Sequence, residues 1–425
     1  MIFALAAVLV FLTFFGMPLY AAFAGAALLG YYVADVNFAA ITVEIYRIAD
    51  TPLLIALPMF TFCGYLLSES RSSHRLVELT QSLVGSVRGG LAVVAFVSCA
   101  LFTAFTGACG VTIVALGALL LPAMLQQRYP EKFTLGLITT SGSLGLLLPP
   151  SLPLILYGII SQQMGVGEPF TLTQLFMAGL LPALLMIVAL SAWSLFTLRN
   201  EPLPTQAFSF PRLGKAVWDA KWELPMPLVV LGCIYGGWLA VSEVAALVAF
   251  YLLIVEVFIY REVPIRVLPK VIKESMTMVG GLLLILALSM AFTNTLIDAE
   301  VPAHLFAWIQ QYVHDRWTFL LLLNIFLLVL GAIVEIFPAL VIVVPLILPI
   351  AVSFGVHPVH LGIIFLANMQ IGYFMPPVGM SLFIASYRFK KPILLLFKST
   401  LPFMLVLLVA VLIITYVPWL SLWMF

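Results

Sequence analysis

The sequence predicts an all-α polytopic membrane protein built from inverted repeats, each holding a re-entrant helical hairpin and a broken transmembrane helix. Three observations predict it. Of the 425 residues, 64% are hydrophobic and 9% charged, where soluble chains run near ~25% charged. Apolar runs reach again and again the roughly 20 residues that span a bilayer. Two stretches also share one outline: Gly107 to Pro150 ends in Gly145-Leu-Leu-Leu-Pro149-Pro150, and Gly331 to Pro377 ends in Gly372-Tyr-Phe-Met-Pro376-Pro377. Pro122 and Pro349, Gly145 and Gly372, Pro149 and Pro376, and Pro150 and Pro377 all stand 227 positions apart. The placement of charge then orients the elements.

The apolar start, Ile2 to Tyr32, is broken at Gly16-Met-Pro18 and reads as one kinked helix or two short ones. No charged n-region or small-residue cleavage pattern marks it, so it is expected to stay in the membrane. Asp35, Glu44 and Asp50 follow, and then one span, Pro52–Leu67, leads to a basic connection with Arg71, Arg75 and Arg88. Leu91–Met124 lies between that connection and Arg128 and Lys132, so it must enter and return on one side as a hairpin, with Thr106-Gly-Ala-Cys-Gly110 at its tip. Phe133–Ile160 crosses with a break at Pro149-Pro150, and Leu172–Leu198 returns to a polar connection, Arg199–Glu223.

Leu224–Val241 and Val244–Tyr260 read as a pair of spans joining the halves, and Ser275–Ile297 crosses outward to Asp298, Glu300 and Asp315. Thr318–Ser353 leaves and returns on the outside with Glu335 midway. His360–Phe383 crosses inward, broken at Pro376-Pro377, and Leu401–Trp419 is the last span. On this layout 17 of the 19 Lys and Arg residues are cytoplasmic, all but Arg47 and Arg316, as the positive-inside rule requires. One hairpin then enters from the cytoplasm and the other from outside. Charge placement and repeat register reach that inversion independently. The expected division is a scaffold of residues 1–90, 171–316 and 388–425 around two repeats, 91–170 and 317–387.

Non-helical backbone inside a membrane persists only where protein or a cavity satisfies it. Proline removes a donor and frees a carbonyl one turn earlier; freed carbonyls suit a dehydrated cation, and helix N-termini suit an anion. One Pro-Pro alone reads equally as a kink, but the matched pair points to the ion and substrate site of a membrane transporter. Glu335 is read as the only carboxylate deep in the apolar region, a costly placement. Three roles stand for it: cation ligand, proton carrier, or cap of the hairpin's second helix. Thr106, Cys109 and Thr112 at the first tip are neutral. Ser141 and Ser143 in the first broken span, and Asn368 and Gln370 in the second, are candidates for substrate contact or for interhelical bonding; Cys109, Ser143 and Asn368 are taken forward as the substrate candidates. His357 and His360 have the spacing of a metal pair but read as loop residues. Gly89-Gly90, Gly236-Gly237 and Gly280-Gly281 read as close helix packing, and the four cysteines as buried thiols.

The sequence has no GxxxxGK[ST], HExxH or GxSxG, so neither direct ATP drive nor hydrolase chemistry is expected, and the chain is not read as an enzyme. A channel does not call for inverted repeats with broken helices. No nucleic-acid partner is expected; the lipid bilayer is the solvent.

Phe105-Thr-Gly-Ala-Cys-Gly-Val-Thr-Ile-Val-Ala-Leu-Gly117, Gly142-Ser-Leu-Gly-Leu-Leu-Leu-Pro-Pro-Ser151 and Pro376-Pro-Val-Gly-Met-Ser-Leu-Phe383 resemble the large membrane subunit of TRAP (tripartite ATP-independent periplasmic) transporters, the DctM-like family. The resemblance covers nearly the whole chain. It implies an elevator-type secondary transporter in the bacterial inner membrane that takes up an organic acid with Na+. The partners it implies are a small membrane subunit and a periplasmic substrate-binding protein. It places one Na+ between Thr106 and Gly107 and the carbonyls around Gly145, Leu148 and Pro150. A second lies between Gly331 and Glu335 and the carbonyls around Gly372, Met375 and Pro377. The family commonly has serines at Ala108 and Cys109 and an aspartate at Thr112 and at Glu335. A self-sufficient Na+- or H+-coupled anion transporter of related fold is the alternative.

Overall fold

A computed structural model describes residues 11, 17–84, 89–203, 209–376 and 379–425. Among these residues the secondary structure is helical throughout, the outcome a bilayer imposes because each backbone group must find its partner within its own segment. Among the described residues eight helical segments are long and apolar enough to cross a membrane. The chain is a multi-pass membrane protein.

The first helices are α1 (Leu19–Val33), α2 (Ala39–Ala49), α3 (Ala56–Glu69, after a 3-10 turn at Pro52–Ile55) and α4 (Ser72–Val84). The first hairpin is α5 (Gly90–Thr106) and α6 (Cys109–Gln126), turned at Gly107 with φ 64°. The first broken helix is α7 (Glu131–Ser141) and α8 (Leu152–Met164), with a 3-10 turn at Leu144–Leu147 between them. α9 (Leu172–Thr197) opens on a capping box, Thr171 accepting the Gln174 N–H at 3.2 Å while Gln174 accepts the Thr171 N–H at 2.8 Å, which satisfies two donors the helix leaves open. Then come α10 (Phe210–Asp219), α11 (Pro225–Tyr235), α12 (Val241–Leu253, ending in a π turn over Ile254–Ile259), α13 (Leu268–Asp298) and α14 (Val301–Gln310). The second hairpin is α15 (Arg316–Ile333) and α16 (Ile336–Ser353), and the second broken helix is α17 (Pro358–Gly372) and α18 (Met380–Phe389). α19 (Ile393–Tyr416) and α20 (Trp419–Leu422) close the chain.

The duplication holds at the level of elements. α6 and α16 begin at Cys109 and Ile336 and end at Gln126 and Ser353, each pair 227 positions apart. The repeats also exchange arms. The second arm of each hairpin packs on the second half of the other repeat's broken helix, α6 on α18 and α16 on α8. Each first arm packs on its own break, α5 against the Leu144–Leu147 turn and α15 against α17. Around them α13, 31 residues long and so about 46 Å, packs on α1, α2 and α3.

Several expectations are corrected. The connections holding Arg75 and Lys215 are not loops: α4 packs on α5, and α10 packs on α4. Leu224–Val241 does not form a full span, because α11 has 11 residues, about 16 Å of helix. Gly280 and Gly281 face open space, so that pair does not serve close packing within the chain; Gly237 is likewise open, while a Cβ on Gly236 would stand 2.7 Å from the Gly232 carbonyl oxygen. Glu256 also overturns the reading of Glu335 as the only deep carboxylate. It is fully buried in the π turn, with Arg75 Nη2 3.6 Å away. Arg75 meets two further carboxylates, Glu223 (Nε 3.0 Å, Nη2 2.5 Å) and Glu262 (Nη1 2.5 Å). Burial opposes the guanidinium charge, but the bonds and charges of Glu223 and Glu262 hold it above its ordinary range.

His360 is not a loop residue. It is buried in the first turn of α17, bonded to Ser421 Oγ (2.6 Å) and the Thr415 carbonyl (3.2 Å). His357 caps the same helix, its Nδ1 accepting the Val359 N–H at 3.1 Å. Burial lowers the His357 pKa against the pull of Glu168. A depressed imidazole gives stability that is whole above its unfolded value, about 6.5, and lost as the pH falls through the folded one. Asn caps without titrating. The wild-type melting temperature is therefore expected to drop further between pH 7 and pH 5 than that of His357→Asn; parallel curves would count against this.

Candidate substrate and cation site

Both hairpin tips end at one cavity of about 640 Å³, a volume typical of small-molecule sites. Gly107, Ala108, Cys109 and Gly110 line it from the first tip, and Glu335 and Phe337 from the second. Tyr373 and Met380 come from the second break, and Tyr65 and Ser68 of α3 with Met278 of α13 close the far wall. Among the described residues its lining holds one carboxylate and no Lys or Arg. Two helices, α6 and α16, begin at this cavity. Their first N–H groups have no partner inside the helix, and their positive ends suit an anion.

The tips are shaped by glycine and by hydroxyl bonds. Gly107 takes a left-handed conformation and its N–H donates to the Thr103 carbonyl at 2.7 Å. Thr103 Oγ1 lies 2.7 Å from Thr112 Oγ1 and donates to the Gly142 carbonyl at 3.0 Å, which ties the first tip to the first break. A Cβ on Gly145 would stand 2.2 Å from the Ala100 carbonyl oxygen; one on Gly372 would stand 2.4 Å from the Gly331 carbonyl carbon. Only glycine lets each break cross its hairpin arm this closely. The Gly379 N–H donates to the Ala332 carbonyl at 3.2 Å, joining the second break to its tip as well.

Oxygen atoms with spare hydrogen-bonding capacity lie at the first tip and along both breaks. Thr106 Oγ1 and Ser151 Oγ are buried without a hydrogen-bond partner, and so is Ser381 Oγ near the second break. The Gly145 and Leu148 carbonyls accept the Leu148 and Ser151 N–H groups, and Gly372 accepts from Met375; each keeps a second lone pair. Glu335 occupies the N-cap position of α16, yet its side chain makes no cap bond, which removes the cap role. The donor set at each tip fits a hard monovalent cation held by neutral oxygens, with one carboxylate at the second. Pro150 lies in the first break, and Pro377 falls outside the described residues.

Of the substrate candidates, only Cys109 lines the cavity. Ser143 Oγ donates to the Thr140 carbonyl at 3.2 Å. Asn368 Nδ2 donates to Asn324 Oδ1 at 2.6 Å and to the Ile364 carbonyl at 2.8 Å, and Thr415 Oγ1 joins the same Asn324 oxygen at 3.1 Å. Both are therefore engaged away from the cavity, Asn368 in the interhelical role. Tyr65, Ser68, Met278 and Tyr373 were not read from the sequence. Of these only Tyr373, inside the Gly372–Pro376 motif, carried a signal.

A family model described as the tripartite ATP-independent periplasmic transporter, DctM component, matches residues 5–420. The chain belongs to the DctM family. It is accordingly the large permease subunit of a tripartite transporter. It is 33% identical to the C4-dicarboxylate TRAP transporter large permease protein DctM of Pseudomonas aeruginosa over 90% of this chain and 88% of that one. Identity to the Rhodobacter capsulatus DctM, also named for C4-dicarboxylates, is 35% over 87% and 86%. An isethionate TRAP permease, DctMQ of Oleidesulfovibrio alaskensis, is 34% identical over 91% of this chain and 59% of its own. These DctM relatives are transporter permeases, not enzymes. The fold is also that of the Alcanivorax borkumensis YdaH transporter, a structure described as having an unusual topology, with a TM-score of 0.64, 13% identity and coverage of 91% and 88%.

Proposed function

We propose that this DctM component carries an organic acid, delivered by a periplasmic binding protein, across the bacterial inner membrane together with Na+. It works beside a small membrane subunit. One observation carries the reading: a carboxylate, Glu335, stands free of its helix in a cavity walled by both hairpin tips. One Na+ lies with Thr106, Gly107 and the carbonyls around Gly145, Leu148 and Pro150. The other lies with Gly331, Glu335 and the carbonyls around Gly372, Met375 and Pro377. The acid group of the substrate meets the N-terminal ends of α6 and α16, near Cys109. The relatives named for C4-dicarboxylates and isethionate support a small organic anion as the substrate class. On this reading residues 91–170 and 317–387 move as one body against residues 1–90, 171–316 and 388–425, the elevator motion, which the exchanged arms joining the two repeats support.

Glu335→Gln tests the reading. It keeps size and hydrogen bonding and removes the charge that offsets Na+. The Na+ concentration for half-maximal uptake is expected to rise on the order of ten- to a hundredfold, the size of a lost charge-assisted contact, while folding yield is kept. Glu335→Asp is milder. An unchanged Na+ curve would remove Glu335 from the site, and loss of pH sensitivity alone would make it a proton carrier.

A further inference from the structure

The first turn of α16 is capped from another element. The Ile336 N–H, the first of the helix, donates to the Tyr373 hydroxyl at 3.2 Å. Tyr373 directly follows α17 and is 5% exposed. Its backbone is held from both halves of the broken helix: its N–H donates to the Met369 carbonyl at 3.2 Å, and its carbonyl accepts the Ser381 N–H at 2.8 Å. The phenol is thus a fixed group, presented to the hairpin tip by the break.

This bears on Glu335. An acid at an N-cap position ordinarily turns back on the open N–H groups of its helix, where bonding and dipole both favour it. Here the phenol oxygen holds that place, and the carboxylate faces the cavity that Glu335 and Tyr373 both line. A hydroxyl that accepts one N–H also keeps its own hydrogen to donate. The first repeat has no such device. At the positions 227 earlier stand Ala108 and Leu146, and the α6 N-cap likewise makes no side-chain bond. The two halves of the cavity are therefore chemically unequal, with the acid and the phenol together on the second.

We propose that Tyr373 is a positioning residue: it caps α16 from across the break and thereby keeps the Glu335 carboxylate turned into the cavity. The inference rests on the cation reading of Glu335 for one of its two readouts and stands apart from it for the other.

Tyr373→Phe removes the hydroxyl and keeps the ring. In purified protein, the melting temperature is followed against NaCl, with choline chloride as control. The variant is expected to need on the order of fivefold more NaCl than wild type, because Glu335 turns back to cap α16. In the double variant with Glu335→Gln, Tyr373→Phe should add no further shift beyond Glu335→Gln alone, the non-additivity of residues acting through one another. A wild-type NaCl midpoint in Tyr373→Phe, or shifts that add, would overturn the proposal. If wild type shows no NaCl effect, the Na+ reading fails, and capping is decided by hydrogen exchange instead. In a Glu335→Ala background, removing the Tyr373 hydroxyl should speed exchange of the Ile336 amide several-fold; unchanged exchange overturns the proposal.

Discussion

Arg75→Met is expected to cost about 3–5 kcal/mol of stability, the penalty for stranding buried charge when one partner of an ion pair is removed. Arg75 is the guanidinium that Glu223, Glu256 and Glu262 share in a pocket where Arg75 is 8% exposed, Glu223 7% and Glu256 0%. The cluster also has a mechanical place. It pins α4, which leads into the first hairpin, to the start of α11 and the π turn after α12. Tyr260 stacks on the guanidinium at 4.1 Å, so a lysine cannot reproduce the arrangement. Thermal melting in detergent checks the loss. Adding Glu223→Gln and Glu262→Gln to Arg75→Met should recover much of it by neutralising the two carboxylates that Arg75 bonds. A melting temperature equal to wild type would contradict the account.

Gly145→Ala is the second large effect. The new methyl would lie 2.2 Å from the Ala100 carbonyl oxygen and 2.5 Å from the Ala104 N, both backbone atoms of α5 that cannot swing aside. Overpacking of this kind costs ~1–3 kcal/mol or more. Here it also pushes the Leu144–Leu147 turn off the hairpin arm, so uptake should fall to near background even in protein that folds. Gly280→Ala is the matched control. Its Cβ meets nothing within 4 Å, and alanine gains up to ~1 kcal/mol over glycine in a helix interior. Equal behaviour of the two variants would mean that the break does not press on the hairpin as described.

The architecture was legible because its unusual parts need unusual residues. A helix broken inside a membrane requires proline and glycine, and Gly145, Pro149, Gly372 and Pro376 repeat at one spacing. The sides of the hairpins are an expectation from lysine and arginine, which a bilayer sorts by side. The site was legible only in part. Cys109 and Glu335 sit at tips that local sequence marks. Asn368 sits in a helix interior, where only tertiary packing decides whether an amide meets substrate or Asn324. Glu256 was passed over inside an apolar run because its partner Arg75 comes from a distant segment, as does Glu223, 148 positions from Arg75. Tyr373 was hidden for the same reason: its bond to Ile336 spans 37 positions. Gly280 and Gly281 resembled a packing motif, but what a bare helix face meets lies outside the chain's own pattern.

The most direct measurement is uptake into vesicles holding this permease and its small subunit, with the radiolabelled acid that the binding protein retains. Accumulation is expected only when the binding protein is outside and Na+ runs inward. Uptake by this chain alone, driven by a proton gradient with Na+ absent, would contradict the account.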